Sequence, residues 1–314
     1  MKKNNGFGVF IILVVVAASI GIINFYFKNN RQSDRFSNVT PRKNYVAVLH
    51  VEGTIQSEGN SYNQEWILEN IRKFKNDPKN HGIILFINSP GGTVYEADET
   101  YLALQDYKST GKKVYAYLGS MAASGGYYIA CASDKIFANR NTLTGSIGVI
   151  AGQFIDITEF LEDHGIHYET VHAGRNKNMG NYNEPLNEEQ RQIMQSIADE
   201  CYEQFTSIVS SSRHMSYDEV LPLCDGRIYT ANQALNNGLI DGIGSWNDFL
   251  VEIENDNPEL SECITVEYSY EKEKSFFERM VSAVNVGRKA ESPADIPSVM
   301  WEEMNLNGPL YLYK

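Results

Sequence analysis

At 314 residues, with 42% apolar and 21% charged residues, the chain is long enough for a sizeable core and ordinary in globular composition. Its formal net charge of −13 argues against a nucleic-acid binder, which needs concentrated basic surface. The charge selects no substrate.

The first signal along the chain is topological. Residues Gly6–Phe27, GFGVFIILVVVAASIGIINFYF, carry no charge and are long enough to cross a bilayer as a helix. Lys2 and Lys3 precede the run, as in a cytoplasmic N-terminus; Lys28, Arg31 and Arg35 follow it, so the charge rule alone leaves orientation open. A cleaved leader is the alternative, with Ala17–Ser19 supplying small residues. The apolar run continues past them, so an uncleaved anchor is expected over residues 1–28, followed by a polar linker over 29–44.

Residues 45–271 read as one domain. Tyr45–Val51 is a short β-rich run, and Gly82–Ser89 and Lys113–Gly119 are continuously apolar, as strands covered on both faces are. Helical patterns over Asn63–Phe74 and Val94–Tyr107 alternate with them, which predicts an α/β fold. A longer helix is expected over Glu188–Ser211. Its stripe runs Ile193, Met194, Ile197, Cys201, Tyr202, Phe205, Ile208 and Val209, with Asn187 as N-cap and Gln190 as capping-box partner. His164, His167 and His172 surround a further expected strand. Residues 272–314 form a tail whose ending, GPLYLYK, is expected either in a neighbour's groove as a strand or disordered. Cys131, Cys201, Cys224 and Cys263 have no metal-ligand spacing; Cys131 and Cys201 read as small hydrophobes, and a Cys224–Cys263 disulfide is left open.

The chemistry centres on GSMAASGGYYIACASDKI, residues 119–136. Small neighbours around Ser124 let a substrate backbone approach, and the following helix turns N–H groups toward an anion, although tight helix–sheet packing uses the same residues. A serine nucleophile needs a base. None of the six histidines stands in a signature context, and a triad assembled from distant positions stays open without support. Lys177 is the only lysine between Ile136 and Glu271, so it is either a solvated loop residue or a base. As a base it must be neutral near pH 7, which burial beside an uncharged hydroxyl favours. Ser146, in TLTGSIGVI, offers that hydroxyl unless the stretch is merely a turn. Gly91 and Gly92, in NSPGGTVYEA, with Ser124 and Gly125, are candidate oxyanion donors. Two motifs mislead. Ser109–Lys112 matches S-x-x-K but bridges a helix and a strand, and Ala122 breaks a G-x-S-x-G elbow at Ser124.

The blocks INSPGG, GSMAASGGYYIACASDKIFAN, TLTGSIGVI, the Lys177 loop with NEEQRQIMQ, and DGRIYTANQALNNGLIDGIG resemble the signal peptide peptidase A family, the S49 serine proteases, in its short bacterial form. They cover nearly everything from Tyr45 to about Gly244. The resemblance implies a ClpP/crotonase-like α/β fold and a Ser-Lys dyad of Ser124 and Lys177. Ser146 would bond the lysine, and Gly91, Gly92 and Gly125 would lie at the oxyanion hole, with no cofactor or metal. It implies cleavage of remnant signal peptides and other apolar peptides after small residues, on the extracytoplasmic side of the membrane. In short members the site is shared between subunits of a homo-oligomeric ring. Two departures stand out. The family's proline after the lysine is Tyr182 here, with proline at Pro185, and Ala231 replaces a glycine. Two alternatives remain: a crotonase-like acyl-CoA enzyme, which needs neither the Ser124–Lys177 pair nor an anchor, and an inactive membrane-anchored scaffold.

Overall fold

The computed structural model describes residues 41–272 and the backbone of residues 310–312. The expected anchor and nearly all of the linker lie outside the described residues. The chain divides between Arg42 and Lys43, and the fold is that of the second unit. Among the described residues no helix is long and apolar enough to cross a membrane.

Strand β1 (Tyr45–Glu52) leads to α1 (Gln64–Asn76), then β2 (Asn80–Ser89), β3 (Gly91–Thr93) and α2 (Val94–Lys108). Next come β4 (Lys113–Ala123), α3 (Gly125–Ala130), β5 (Lys135–Ala138), β6 (Leu143–Gly145), α4 (Thr158–Asp163) and the long α5 (Glu188–Arg213). The described domain closes with α6 (Tyr217–Val220), β7 (Ile228–Thr230), α7 (Ala231–Asn236), β8 (Gly242–Ile243), α8 (Trp246–Asp256) and β9 (Ile264–Tyr268). Asn63 caps α1 by accepting from Trp66 N–H, and the helix buries Ile67, Ile71 and Phe74, one face of a 3.6-residue repeat.

The main sheet runs β7-β6-β4-β2-β1-β9, with β5 paired to β4 and β8. Its pairs are parallel except β6 with β7. Alternating residues explain why its inner strands read as unbroken apolar runs. Leu49, Val51, Ile83, Leu85, Ile87, Ala116 and Leu118 join the larger core, where α1, α2 and α3 pack. Val46, Val48, Ile84, Tyr115 and Tyr117 face the other way, under Phe249 and Ile253 of α8. Each of the Val, Leu, Ile and Phe side chains among them contributes about 1.5–3 kcal/mol when fully buried.

Three expectations change. Strand β4 runs four residues past Gly119, because Met121–Ala123 pair with Leu143–Gly145 and Asn88 Oδ1 accepts from Met121 N–H at 3.3 Å and Ser120 Oγ at 2.7 Å. No strand forms among His164, His167 and His172; the segment has no pairing edge, and Val171 is 92% exposed. The α5 stripe is buried at Phe205 and Val209 only; the stripe residues of its first half are at most half-buried, and Ile197 is exposed. The Asn187–Gln190 capping box is present. The four cysteines are free: Cys224 lies in the larger core and Cys263 packs against the smaller one, on opposite sides of the sheet. Lys112 donates to the Phe74, Lys75 and Asp77 carbonyls, so it holds the end of α1 and is no partner for Ser109.

Burial pushes the Cys131 and Cys224 thiols up to about 12, which leaves little thiolate at pH 8. Iodoacetamide at pH 8 should therefore modify both in native protein at least about tenfold more slowly than in denatured protein. Peptide mapping by mass spectrometry measures this; equal rates would mean that the two sites open freely.

Candidate active site

Strands β4 and β6 are neighbours, with Ala123 in register with Gly145. The next residue on each is a serine, so Ser124 and Ser146 leave the sheet side by side. Both have left-handed backbone, with φ of 53° and 51°. Among the described residues the third non-glycine with positive φ is His214, at 54°, where it caps α5 in the ordinary way. A serine held so carries strain of about 1–3 kcal/mol and keeps it only where its surroundings impose it. Here they do. Ser124 N–H donates to Gly145 O at 2.7 Å and Ser146 N–H to Arg227 O at 2.8 Å. Gly145 itself has φ of 83°, and a Cβ there would meet Tyr229 Cδ2 at 2.5 Å.

Ser124 is fully buried, and its Oγ has no hydrogen-bond partner among the described residues. An orphaned buried hydroxyl costs about 1–3 kcal/mol. The helix that follows is fixed by two phenols. Tyr127 Oη donates to Leu239 O at 2.6 Å, and Tyr128 Oη donates to Asp98 Oδ1 of α2 at 2.6 Å while accepting from Gln204 Nε2 of α5 at 2.6 Å. Burial holds the Tyr127 phenol well above its ordinary range, so it stays a donor. Gly126 lets this helix meet the end of β2, where a Cβ would lie 3.1 Å from Ser89 O.

The glycines after β2 form strand β3. Ile55 N–H donates to Gly91 O at 2.8 Å and Thr93 N–H to Ile55 O at 2.9 Å, and a Cβ on Gly92 would fall 1.8 Å from Ile55 O. Only glycine fits there. The other edge of β3 pairs antiparallel with β10 (Leu310–Leu312), with Leu310 opposite Thr93, Tyr311 opposite Gly92 and Leu312 opposite Gly91. Residues 310–312 thus lie as a strand against β3 of the same chain, and β10 also approaches α3. Of the candidate donors, Ser124 N–H is engaged with Gly145 O and Gly91 N–H with Ser89 Oγ at 3.1 Å. Gly125 opens α3, where an N–H has no partner within its helix.

Lys177 stands apart from the serines. It is exposed on a turn closed by its own N–H donating to Gly174 O at 3.0 Å, and its side chain has no hydrogen bond or ion pair among the described residues. Since Ser124 Oγ is without a partner, neither Lys177 nor any described histidine bonds it within the single chain. Ser146 lines a cavity of about 410 Å³ with Val149, Gln195, Asp199, Tyr202 and Gly226. Among the described residues no group of His, Cys, Asp and Glu is arranged to hold a metal.

A model of peptidase family S49 matches residues 106–258, the stretch containing Ser124, Ser146 and Lys177. A putative signal peptide peptidase SppA of Enterococcus faecium is 33% identical over 255 residues, 79% of this chain and 74% of that protein. The chain belongs to peptidase family S49. A putative protease of Synechocystis is 30% identical over 88% of this S49 chain and 98% of its own length. Protease 4 of Haemophilus influenzae is 34% identical over 208 residues, which span only 34% of that longer protein. A mutant of ClpP1 from Listeria monocytogenes aligns over 65% of the chain, with 19% identity and a TM-score of 0.43.

By family, then, the chain is a serine peptidase, and its described domain is a mixed α/β sheet structure. In this S49 chain the structure brings together Ser124, Ser146 and the Gly125 end of α3, and it leaves Lys177 on the surface. Sequence reading missed the Asp98–Tyr128–Gln204 tie, which joins helices distant in sequence. It also missed the asparagine bonds that shape the Lys177 turn; the density of asparagine there was the one available signal.

Proposed function

We propose that this S49 peptidase is a membrane-anchored endopeptidase that cleaves signal-peptide-like apolar peptides after small residues, using Ser124 and Lys177. The observation that carries the proposal is Ser124 itself: strained, buried, unpartnered and beside Ser146. A fold that tolerates both costs at one residue is holding a hydroxyl ready for something absent from the single chain. In this reading Ser124 Oγ attacks the scissile carbonyl, and the neutral Lys177 amine takes its proton and passes it to the leaving amine. Ser146 orients the amine. Gly92 and Gly125 N–H groups meet the oxyanion, with Gly91 setting the turn before them. Water then hydrolyses the acyl-enzyme with Lys177 again as base.

Peptide binding by strand addition is supported by β3, whose edge already accepts an antiparallel strand from residues 310–312. The printed name of the Enterococcus relative and the apolar run Gly6–Phe27 support apolar substrates at a membrane. An exposed, unpaired Lys177 and an unpartnered Ser124 Oγ support a site completed by a second copy in a ring. Ile155, Phe160 and Val171, exposed in the same 151–187 stretch as Lys177, are the apolar surface such a copy would cover.

The test is hydrolysis of a fluorogenic apolar peptide with alanine before the cut, by the full chain in detergent. Activity lost in both Ser124→Ala and Lys177→Ala supports the dyad. A Lys177→Ala enzyme near full rate moves the base elsewhere, and an inactive wild type favours the scaffold. If peptides add to β3, its present strand competes with them. Deleting residues 309–314 should then lower KM about three- to tenfold, a modest effect for a tethered competitor. Steady-state kinetics measure it; an unchanged KM would mean that β10 leaves this edge free during turnover.

A further inference from the structure

The stretch 151–187 is largely exposed, and among its described residues Asn178 alone is buried, at 9% exposure. A buried amide needs partners for both ends. Asn178 Nδ2 donates to Glu184 Oε1 at 2.9 Å, and Asn178 Oδ1 accepts from Asn181 Nδ2 at 2.8 Å. Its carbonyl accepts from Asn181 N–H at 3.2 Å. On the other side of Lys177, Asn176 Nδ2 donates to Glu189 Oε1 at 3.1 Å, and Arg175 pairs with the same carboxylate in the first turn of α5. Gly174 and Gly180, with φ of 95° and 82°, bound the turn. Arg175, Asn176 and Asn178, on either side of Lys177, each have a side-chain bond, whereas the Lys177 side chain is exposed and unpaired among the described residues. Anchoring a turn this thoroughly contributes little to a core it does not touch, but it fixes where the lysine points.

We infer that Asn178 is a positioning residue for peptide cleavage: its bonds to Glu184 and Asn181 hold the turn that aims the Lys177 amine at Ser124. The inference rests on the Ser124–Lys177 reading above. A lysine side chain reaches its target through four rotatable bonds, so a backbone shift of about 1 Å at its base is enough to cost up to about 10²-fold in rate. Asn178→Asp is nearly isosteric but removes the Nδ2 donor and sets a second carboxylate against Glu184. The turn then opens while the sheet and its core stay as they are.

The full chain is assayed with the fluorogenic peptide as wild type, Asn178→Asp, and Asn178→Asp combined with Glu184→Gln. The single variant should lose about tenfold or more in kcat, with KM within about twofold and an unchanged melting temperature. The double variant should recover most of the rate, because the amide introduced at 184 donates to the carboxylate introduced at 178. Asn178→Asp turning over at the wild-type kcat overturns the inference, as does a double variant as slow as the single one. The two failures are separable. A wild type that cleaves nothing, or a fully active Lys177→Ala, sinks the dyad and this inference with it, whereas an active wild type, inactive Lys177→Ala and unimpaired Asn178→Asp sink the inference alone.

Discussion

Replacing Ser124 with glycine should abolish peptide hydrolysis and stabilise the fold. Loss of the proposed nucleophile is expected to lower kcat on the order of 10⁴-fold or more. The gain in stability has two sources. Glycine adopts φ of 53° without the steric penalty a serine meets, and the variant has no buried hydroxyl left without a partner. Against these stands the greater freedom of glycine in the unfolded chain, about 0.5–1 kcal/mol. The balance is a stabilisation of at least about 1 kcal/mol, or a rise of at least a few degrees in melting temperature for a domain this size. Scanning calorimetry beside the peptide assay reads both numbers. Ser124→Ala separates the terms, because it removes the hydroxyl and keeps the backbone strain. A less stable Ser124→Gly would mean that the burden ascribed to this position is not there.

Mixing two inactive variants should restore activity. Within one chain Lys177 is exposed and does not bond Ser124, so Ser124→Ala and Lys177→Ala are each expected to be inactive alone. If every site takes its serine from one copy and its lysine from the next, random exchange pairs an intact serine with an intact lysine at about one site in four. About a quarter of wild-type activity should therefore return after subunit exchange. Recovery must depend on exchange: mixing without it, or either variant with itself, should give nothing. Wild-type activity with no recovery under exchanging conditions would place both groups in one copy, and the Lys177 turn would then have to move inward during turnover. The buried Asn178 and the bonds around it argue against such a movement.

Much of the fold was legible because it is written in local periodicity. The unbroken apolar runs in β2 and β4 follow from burial on both faces, and the Asn187–Gln190 box marks the start of α5 to the residue. Ser124, Ser146 and the glycines of β3 were also visible as candidates, since close backbone approach requires small residues around them. What periodicity cannot carry is pairing at a distance. The extension of β4 to Ala123 depends on β6, twenty residues later, and it alone sets Ser124 beside Ser146. The strand expected near His167 does not form without an edge to pair with, whereas the alternating residues Leu310–Leu312 find one on β3. Residue types alone named the candidate residues. Strain at Ser124 and exposure at Lys177 were decided by hydrogen bonds and burial that only the folded chain makes.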